Sequence, residues 1–400
     1  MQKYLPKHLA TKSIVLPSLS SKKRKKDWRG KPASWPDIRT NAQDGHIYLL
    51  ADDRYPIGFT ATATGGYSVK IDGVAYDDYN SQEQFSIADW TDYTATEGYP
   101  IDYPTDASKA HIIDIYPQTE SENISAFKCA RIAASGNESQ GILWAHFNLT
   151  NRINISQCFC GGSYSNVQYN NNSMLAVTAK NNTINMTGFD QFVGGNAVVE
   201  YMPTFVSDGV THYFIAGTTG KVLKKITIKN FVCSNRFDYA FANAQSLEKI
   251  NFTNCQIAPK NLSNAFLNNY ALPKLPQIDY TSAENMTNFL TNAESLEDMV
   301  LDVSAATGLT KIGCYGSASH FMSGFKGLRV SSSAPFDNAT SPQINVSYTG
   351  MDRAALVQLF NDLPSVSDGQ IINITGCTGS EDLTAEDIAI ADNKGWTITE

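Results

Sequence analysis

The sequence lacks any long hydrophobic run. No stretch of about 18 or more consecutive apolar residues occurs in the 400-residue chain, so the sequence predicts no transmembrane span. The first 20 residues contain no apolar segment of the length that a secretory signal needs, because Ile14, Val15 and Leu16 form a run of only three. We therefore expect a protein that folds in a reducing cytoplasm and has no export signal of its own.

Cysteine is present, but not in a pattern that forms a site. The seven cysteines are odd in number and mostly widely spaced, and only Cys158 and Cys160 lie close together. Neither a second pair nor a nearby histidine completes a zinc site. We expect free thiols and no bound metal.

The common catalytic motifs are also missing. None of the six histidines falls in an HExxH or paired spacing, and no nucleophile elbow, phosphate-binding loop or dinucleotide-binding loop is present. The adjacent carboxylates Asp52–Asp53 and Asp77–Asp78 would point to opposite faces of a strand, and we expect solvated turn residues at both places. The sequence therefore predicts no enzyme activity and no cofactor.

The C-terminal half contains a repeat. Three copies align at 241–250 (FANAQSLEKI), 266–275 (FLNNYALPKL) and 290–299 (LTNAESLEDM), at steps of 25 and 24 residues. A period in the twenties is typical of a leucine-rich-repeat solenoid, in which stacked units bury a core that no single unit could bury. The predicted repeat core consists of Phe241, Leu247, Ile250, Phe266, Leu272, Leu275, Leu290, Leu296 and Met299.

Each copy combines a turn with a strand. The period-two alternation after the turn, as in 299–303 (MVLDV), predicts a short strand. Asn243, Asn268 and Asn292 occupy the same place in the copies, where an asparagine side chain suits a hydrogen bond to the backbone of a tight turn. The tyrosines that could line a ligand-binding face of the solenoid are Tyr164, Tyr169, Tyr201, Tyr213, Tyr270 and Tyr280.

Asn-x-Ser/Thr triplets are frequent along the chain; four of them begin at Asn148, Asn154, Asn251 and Asn373. Such triplets are acceptors for glycosylation only in exported proteins. Because no export signal accompanies them, we interpret them as a consequence of composition alone.

Residues 1–42 differ in charge from the rest of the chain. They contain 11 basic and 2 acidic residues, a net charge of about +9, whereas the remaining residues carry 20 basic and 37 acidic residues, about −17. We interpret the segment as an extended arm that anchors the chain to an acidic partner; a solvated tail and a nucleic-acid-binding run are the alternatives. The acidic remainder makes nucleic acid the least favoured partner. The predicted anchoring residues are Lys22, Lys23, Arg24, Lys25, Lys26, Trp28 and Trp35, although the two tryptophans could equally pack on this chain's own next domain.

The rest of the chain divides into three predicted regions. Residues 43–150 contain short strand-forming runs at regular spacing, which predicts a β-sandwich. Its hairpin signals are Gly65–Gly66 and Asp72–Gly73. Residues 151–376 form the predicted solenoid, and residues 377–400 form its C-terminal cap.

The cap has a helix signature. Thr384, with Asp387 three residues later, predicts the start of a helix, and Gly395 predicts its end. Trp396 would then begin a terminal strand.

Two stretches resemble known families. The repeats, together with the ending 383–398 (LTAEDIAIADNKGWTI), resemble the BspA-type leucine-rich repeats of gut Bacteroidetes surface proteins and their phages. The N-terminal half, through 28–39 (WRGKPASWPDIR) and 59–67 (FTATATGGY), is similar to virion proteins of crAss-like phages of Bacteroidales. The resemblances imply a mainly β chain with short helices, in which an extended arm, a β-sandwich, a repeat solenoid and a cap follow one another.

The resemblances also imply a function. We expect a phage virion structural protein, a head or tail fibre or appendage that is made in the host cytoplasm and lies on the virion surface. Its arm would bind other virion proteins of the capsid or tail, and its repeats would adhere to a host-surface glycan or protein. By analogy with fibres it would form a homo-oligomer, such as a trimer. The alternatives are a bacterial BspA-like cell-surface adhesin and a polysaccharide-degrading tailspike enzyme.

Overall fold

The protein is mainly β, as the sequence predicts. The computed structural model describes residues 31–90, 93, 99–102, 107–129, 141–156, 158–159, 174–188, 192, 199–210, 222–336, 342–367 and 369–400. Within these residues it contains several β-sheets and two α-helices. The predicted anchoring residues Lys22–Lys26 and Trp28 lie outside the described residues.

The strands are short and follow one another through the whole described chain. The first are β1 (His46–Asp52), β2 (Ile57–Thr62), β3 (Tyr67–Ile71), β4 (Val74–Tyr79), β5 (Gln84–Ile87), β6 (Tyr99–Asp102), β7 (Ala107–Pro117), β8 (Ala126–Cys129) and β9 (Ile142–Asn148). Next come β10 (Ile153–Asn154), β11 (Ala176–Ala179), β12 (Thr183–Gly188), β13 (Thr204–Ser207), β14 (Lys225–Lys229), β15 (Val232–Cys233), β16 (Lys249–Thr253) and β17 (Gln256–Ile257). The last are β18 (Asn285–Met286), β19 (Met299–Asp302), β20 (Lys311–Gly313), β21 (Phe325–Arg329), β22 (Ile344–Asn345), β23 (Gln370–Asn373) and β24 (Trp396–Thr399), and the helices are α1 (Arg353–Asp362) and α2 (Ala385–Asp392).

The first large sheet has the strand order β11-β9-β1-β7-β3-β4, with β6 paired to β7. Its β3–β4 hairpin turns at Asp72 and Gly73, whose φ values of 51° and 83° are those of the tight turn that matches strand twist. This hairpin prediction is confirmed. The prediction of a hairpin at Gly65–Gly66 is wrong, because β2 pairs with β5 and β8 in the second sheet. The glycine pair instead carries the chain from one sheet to the other.

The second large sheet has the order β16-β14-β13-β12-β10-β8-β2-β5. Its pairings are antiparallel between β5, β2 and β8, and parallel from β8 to β16. Along the parallel part, Thr183 pairs with Thr204, Thr204 with Thr227, and Thr227 with Asn251. Each new strand therefore comes from the next stretch of about two dozen residues. Both large sheets cross residue 150, so strands on the two sides of that predicted boundary share the same sheets.

A third sheet continues the parallel arrangement in the order β18-β20-β22-β23-β24. Helix α1 lies between β22 and β23 and was not predicted from the sequence. Asp352 caps its first turn by accepting a hydrogen bond from the Ala355 N–H, and Leu356, Leu359 and Phe360 are its buried residues. This spacing places the three residues on one helix face. The sequence therefore contains the apolar pattern of a helix at this place.

Residues 384–399 contain the predicted helix and terminal strand. The Thr384 hydroxyl and the Asp387 carboxylate form a reciprocal capping box at the start of α2. Gly395, with φ of 85°, follows the helix, and Trp396 begins β24 on the third sheet. Asp387 also accepts a 2.7 Å hydrogen bond from Arg353 of α1, and this guanidinium lowers the pKa of the Asp387 carboxyl. The capping helix is thereby tied to the helix before it.

One continuous core runs from the first strands to the last. A series of phenylalanine contacts crosses it, with ring centroids between 4.4 and 6.1 Å apart. The rings in this series are Phe85, Phe59, Phe127, Phe159, Phe192 and Phe205. A second series in the repeats stacks Phe241 on Phe266 at 5.6 Å and sets Phe266 edge-on to Phe289 at 5.4 Å. Aromatic contact of this kind adds to the free energy of burial.

Replacing Phe266 should destabilise the whole stack. Phe266→Ala removes a fully buried ring that contacts the copies on both sides, so we expect a loss of about 3–5 kcal/mol in the free energy of unfolding. Urea unfolding followed by circular dichroism measures this loss. Phe321→Ala is the matched control, because Phe321 is 40% exposed and its loss should change the midpoint little. Equal midpoints for the two variants would contradict the assignment of Phe266 to a continuous core.

Candidate binding surfaces of the repeats

The predicted repeat core is placed on the inside of the fold. Phe241, Leu247, Phe266, Leu272, Leu290 and Leu296 are buried. Ile250, Leu275 and Met299 are partly buried and pack against the same core. The equivalent positions of the three copies therefore face the same interior.

Backbone hydrogen bonds hold the turns of successive copies together. The Phe241 N–H donates to the Ala265 carbonyl over 2.8 Å, and the Phe266 N–H donates to the Phe289 carbonyl over 3.0 Å. In the same way, the Leu290 N–H donates to the Gly313 carbonyl over 3.1 Å. Each turn thus pairs with the corresponding turn one copy later, in the same sense as the parallel strands.

The asparagine of each copy bonds to the asparagine of the next. Asn268 Nδ2 donates to Asn243 Oδ1 over 2.8 Å, and Asn292 Nδ2 donates to Asn268 Oδ1 over 2.9 Å. All three have left-handed backbones, with φ between 57° and 61°, which asparagine tolerates better than most residues. The predicted tight turn is present, but the predicted side-chain bond to the backbone is replaced by an amide ladder between copies. A single copy of the sequence could not show this, because the partner is the same residue of another copy.

Five of the Asn-x-Ser/Thr triplets have a structural role, so the interpretation as composition alone is wrong for these five. The side-chain oxygens of Asn154 and Asn373 accept hydrogen bonds from the N–H groups two residues later, at 2.9 and 3.0 Å. Asn261, Asn285 and Asn345 make the same turn. These turns lie beside the inter-copy bridges and strands, as in the pairing of Asn261 with Asn285. The triplet is therefore part of the repeat, where Asn favours a local turn.

The outer face of the parallel strands β12, β13, β14 and β16 is polar and basic except at Val206. Alternate residues of β14 point inward as Ile226 and Ile228 and outward as Lys225, Thr227 and Lys229. We call this surface the lysine–threonine face; it consists of Thr183, Thr204, Lys225, Thr227, Lys229, Lys249 and Asn251. In register, Lys225 is opposite Lys249 and Thr227 is opposite Asn251. Asn251 Nδ2 donates to Thr227 Oγ1 over 3.2 Å, which orders this row across the copies.

A second surface feature is a stacked pair of rings. Tyr270 lies parallel to His320, with centroids 4.7 Å apart and planes at 7°. The carboxylate of Glu294 lies 3.1 Å from His320 Nδ1. Of the tyrosines considered from the sequence, Tyr280 packs edge-on to Phe289, and the Tyr201 hydroxyl bonds to Asn182. Tyr164, Tyr169 and Tyr213 lie outside the described residues.

Trp35 packs on the chain's own body and not on a partner. This is the alternative that the sequence leaves open beside the anchoring role. Alternate residues of β1 face two cores, since Leu49 belongs to the main core whereas Tyr48 and Leu50 contact a smaller cluster. Trp35, 2% exposed, and Ile38 complete that smaller cluster on the outer side of the first sheet. Residues 31–42 are thereby fixed to the body.

The expectation of solvated turn residues is wrong for Asp52, which is buried, and holds for Asp77 and Asp78 only in their exposure. Asp52 is fully buried at the end of β1, and its carboxylate is paired with Arg54 at 2.6 Å. Asp77 and Asp78 are exposed but lie within strand β4. A buried carboxylate needs such a charged partner, which explains the pairing of Asp52 with Arg54.

The described cysteines are free thiols. Burial raises the pKa of the Cys158 and Cys314 thiols well above its usual value, so both remain protonated and weakly nucleophilic. In the described part of the chain no group of three or more histidine, cysteine or acidic side chains is arranged to hold a metal ion. None of the described helices has the length and apolar character to cross a membrane.

Replacing Asn268 tests how much the asparagine ladder contributes to the free energy of unfolding. Asn268→Ala removes both ladder bonds and places alanine in the left-handed region, so we expect a loss of about 3 kcal/mol in the free energy of unfolding. Asn268→Gly removes the same bonds without backbone strain and should lose about 1 kcal/mol less. Urea midpoints of the two variants measure both losses. If both midpoints equalled that of the parent chain, the ladder would not contribute to stability.

Comparison with known proteins leaves the family open. No family model, curated protein or solved structure matches the chain. The resemblances to BspA-type repeats and to crAss-like phage proteins stay predictions. The function proposed below is supported by the residues and contacts described above.

Proposed function

We propose that this protein is a virion appendage of a phage, a head or tail fibre-like structural protein that displays a leucine-rich-repeat solenoid for adhesion to the host surface. The basic N-terminal segment attaches it to other virion proteins, and the strands from 43 to 150 act as a sandwich-like base. The proposal assigns adhesion, not catalysis, to the repeats.

The observation that carries the proposal is the alignment of polar side chains across successive parallel strands. Strands β12, β13, β14 and β16 pair in parallel, so one polar position recurs from strand to strand, at steps of about 4.8 Å. The stacked turns follow the same step. A row of similar polar positions suits a long ligand, or many displayed copies, because multivalent attachment multiplies weak contacts.

The position of residues 31–42 supports the attachment role of the segment before them. Trp35 and Ile38 fix this part of the chain to the outer side of the first sheet. The basic run Lys22–Lys26 precedes this fixed part by only a few residues in the sequence. A partner with an acidic surface would attract the run and repel the acidic body.

Removal of residues 1–30 tests the attachment role. Chain 31–400 retains Trp35 and Ile38, so the body should fold. Removal of residues 1–42 would instead delete these two buried residues from the smaller cluster. We expect the full chain, but not chain 31–400, to co-sediment with virions of the phage that encodes it. Replacing Lys22–Lys26 by glutamine should weaken the binding of the full-length chain and reduce its dependence on salt.

The urea midpoint of chain 31–400 provides the folding control. Equal co-sedimentation of the full and shortened chains would contradict attachment through the arm. If neither chain bound virions and both bound bacterial cells, the bacterial adhesin would replace the virion assignment.

A further inference from the structure

We propose that the lysine–threonine face binds an acidic polysaccharide, a sugar chain that carries carboxylate or sulfate groups. This inference rests on the proposed function, since it names the ligand class of the adhesive repeats. Its failure can nevertheless be separated from the failure of the proposed function.

The face has a charge opposite to that of the body. The chain after residue 42 has a net charge of about −17, yet Lys225, Lys229 and Lys249 are exposed on one flat surface. No ion pair joins any of these three lysines to another residue of the described chain. Positive potential is therefore concentrated on the outer face of two adjacent strands.

Two of the lysines are placed directly against each other. Lys225 and Lys249 are paired in register on neighbouring parallel strands, and like charges side by side on one face of a sheet disfavour the folded state. An ion pair of opposite charges lies directly beside these two lysines. Lys224 and Glu248, each one residue earlier, form a 2.7 Å ion pair at the start of β14 and β16. The carboxylate of Glu248 is thus already engaged, and a ligand anion is what would offset the Lys225–Lys249 repulsion.

The uncharged part of the face adds hydrogen-bonding groups in a line. Thr183, Thr204 and Thr227 are adjacent in register across three parallel strands, and Asn251 continues the row on the fourth. Hydroxyl and amide groups can both donate and accept hydrogen bonds. A row of them at strand spacing, flanked by lysines, suits a ligand that repeats hydroxyl and acidic groups along its length.

The composition of the face favours a polysaccharide over a nucleic acid. No aromatic side chain lies among the outward residues of β12, β13, β14 and β16, whereas proteins that bind single strands stack the bases on aromatic rings. The acidic body would also repel a dense row of phosphates. A sugar chain with more widely spaced charges meets less repulsion.

Binding of polygalacturonate by the full chain tests the inference, with neutral dextran as the comparison ligand. Both polysaccharides are immobilised, and binding is followed by biolayer interferometry at about 0.1 M salt, where charges within about 10 Å still interact. We expect the chain to bind polygalacturonate and not dextran. The triple variant K225Q/K229Q/K249Q should weaken this binding by at least about tenfold, as three contacts of modest energy would.

A second triple variant removes the same net charge elsewhere. K109Q/K274Q/K326Q replaces three exposed lysines that lie off the face, and its affinity should stay within about twofold of the parent chain. Equal losses in the two variants would show that net charge alone attracts the polysaccharide, and would overturn the inference. The inference would also be overturned if the chain bound duplex DNA more tightly than polygalacturonate and the K225Q/K229Q/K249Q variant lost this DNA binding.

The proposed function can survive the failure of this inference. If the chain bound bacterial cells or neutral mucin glycans but not polygalacturonate, the acidic ligand would be wrong and adhesion would stand. If the chain bound neither polysaccharides nor cells, while still attaching to virions, both the acidic ligand and adhesion would be wrong.

Discussion

Hydrogen bonding between successive copies is the constraint on which the rest of the structure depends. Alternate N–H groups of a turn, such as those of Tyr239, Phe241 and Asn243, pair with carbonyl groups about two dozen residues later, and the strands pair in the same parallel sense. This pairing sets one step for the whole array. Because paired strands and turns keep one spacing, about 4.8 Å, the phenylalanine rings stack on the inside, the asparagine amides form a ladder at the turns, and lysines and threonines align on the outside. An isolated copy would have none of these partners.

The sequence predicted the features that depend on local pattern. The capping box of Thr384 and Asp387 is set by four adjacent residues, and the Asp72–Gly73 hairpin by two. The structure also buries Phe241, Phe266 and Leu290 at equivalent places. What could not be predicted depends on contacts between distant residues. Gly65–Gly66 has the composition of a hairpin, but strand pairing elsewhere sends β2 and β3 to different sheets.

The asparagines show a further limit of reasoning from one copy at a time. Asn243, Asn268 and Asn292 were expected to bond to the backbone of their own turns, and instead bond to one another. The Asn-x-Ser/Thr triplets had no evident role in the sequence, yet five of them form the local turns beside the bridges between copies. Helix α1 is a different case, since its cap at Asp352 and its apolar spacing are both visible in the sequence.

The central claim is that the repeats are displayed on the outside of a virion. Labelling of intact virions with antibody fragments raised against residues 222–400 tests it most directly, with the label located by electron microscopy. The account predicts label at regular positions on the outer surface of the head or tail, and none on virions of a mutant phage that lacks this chain. Intact virions without label, in preparations where the same fragments bind the purified chain, would contradict it.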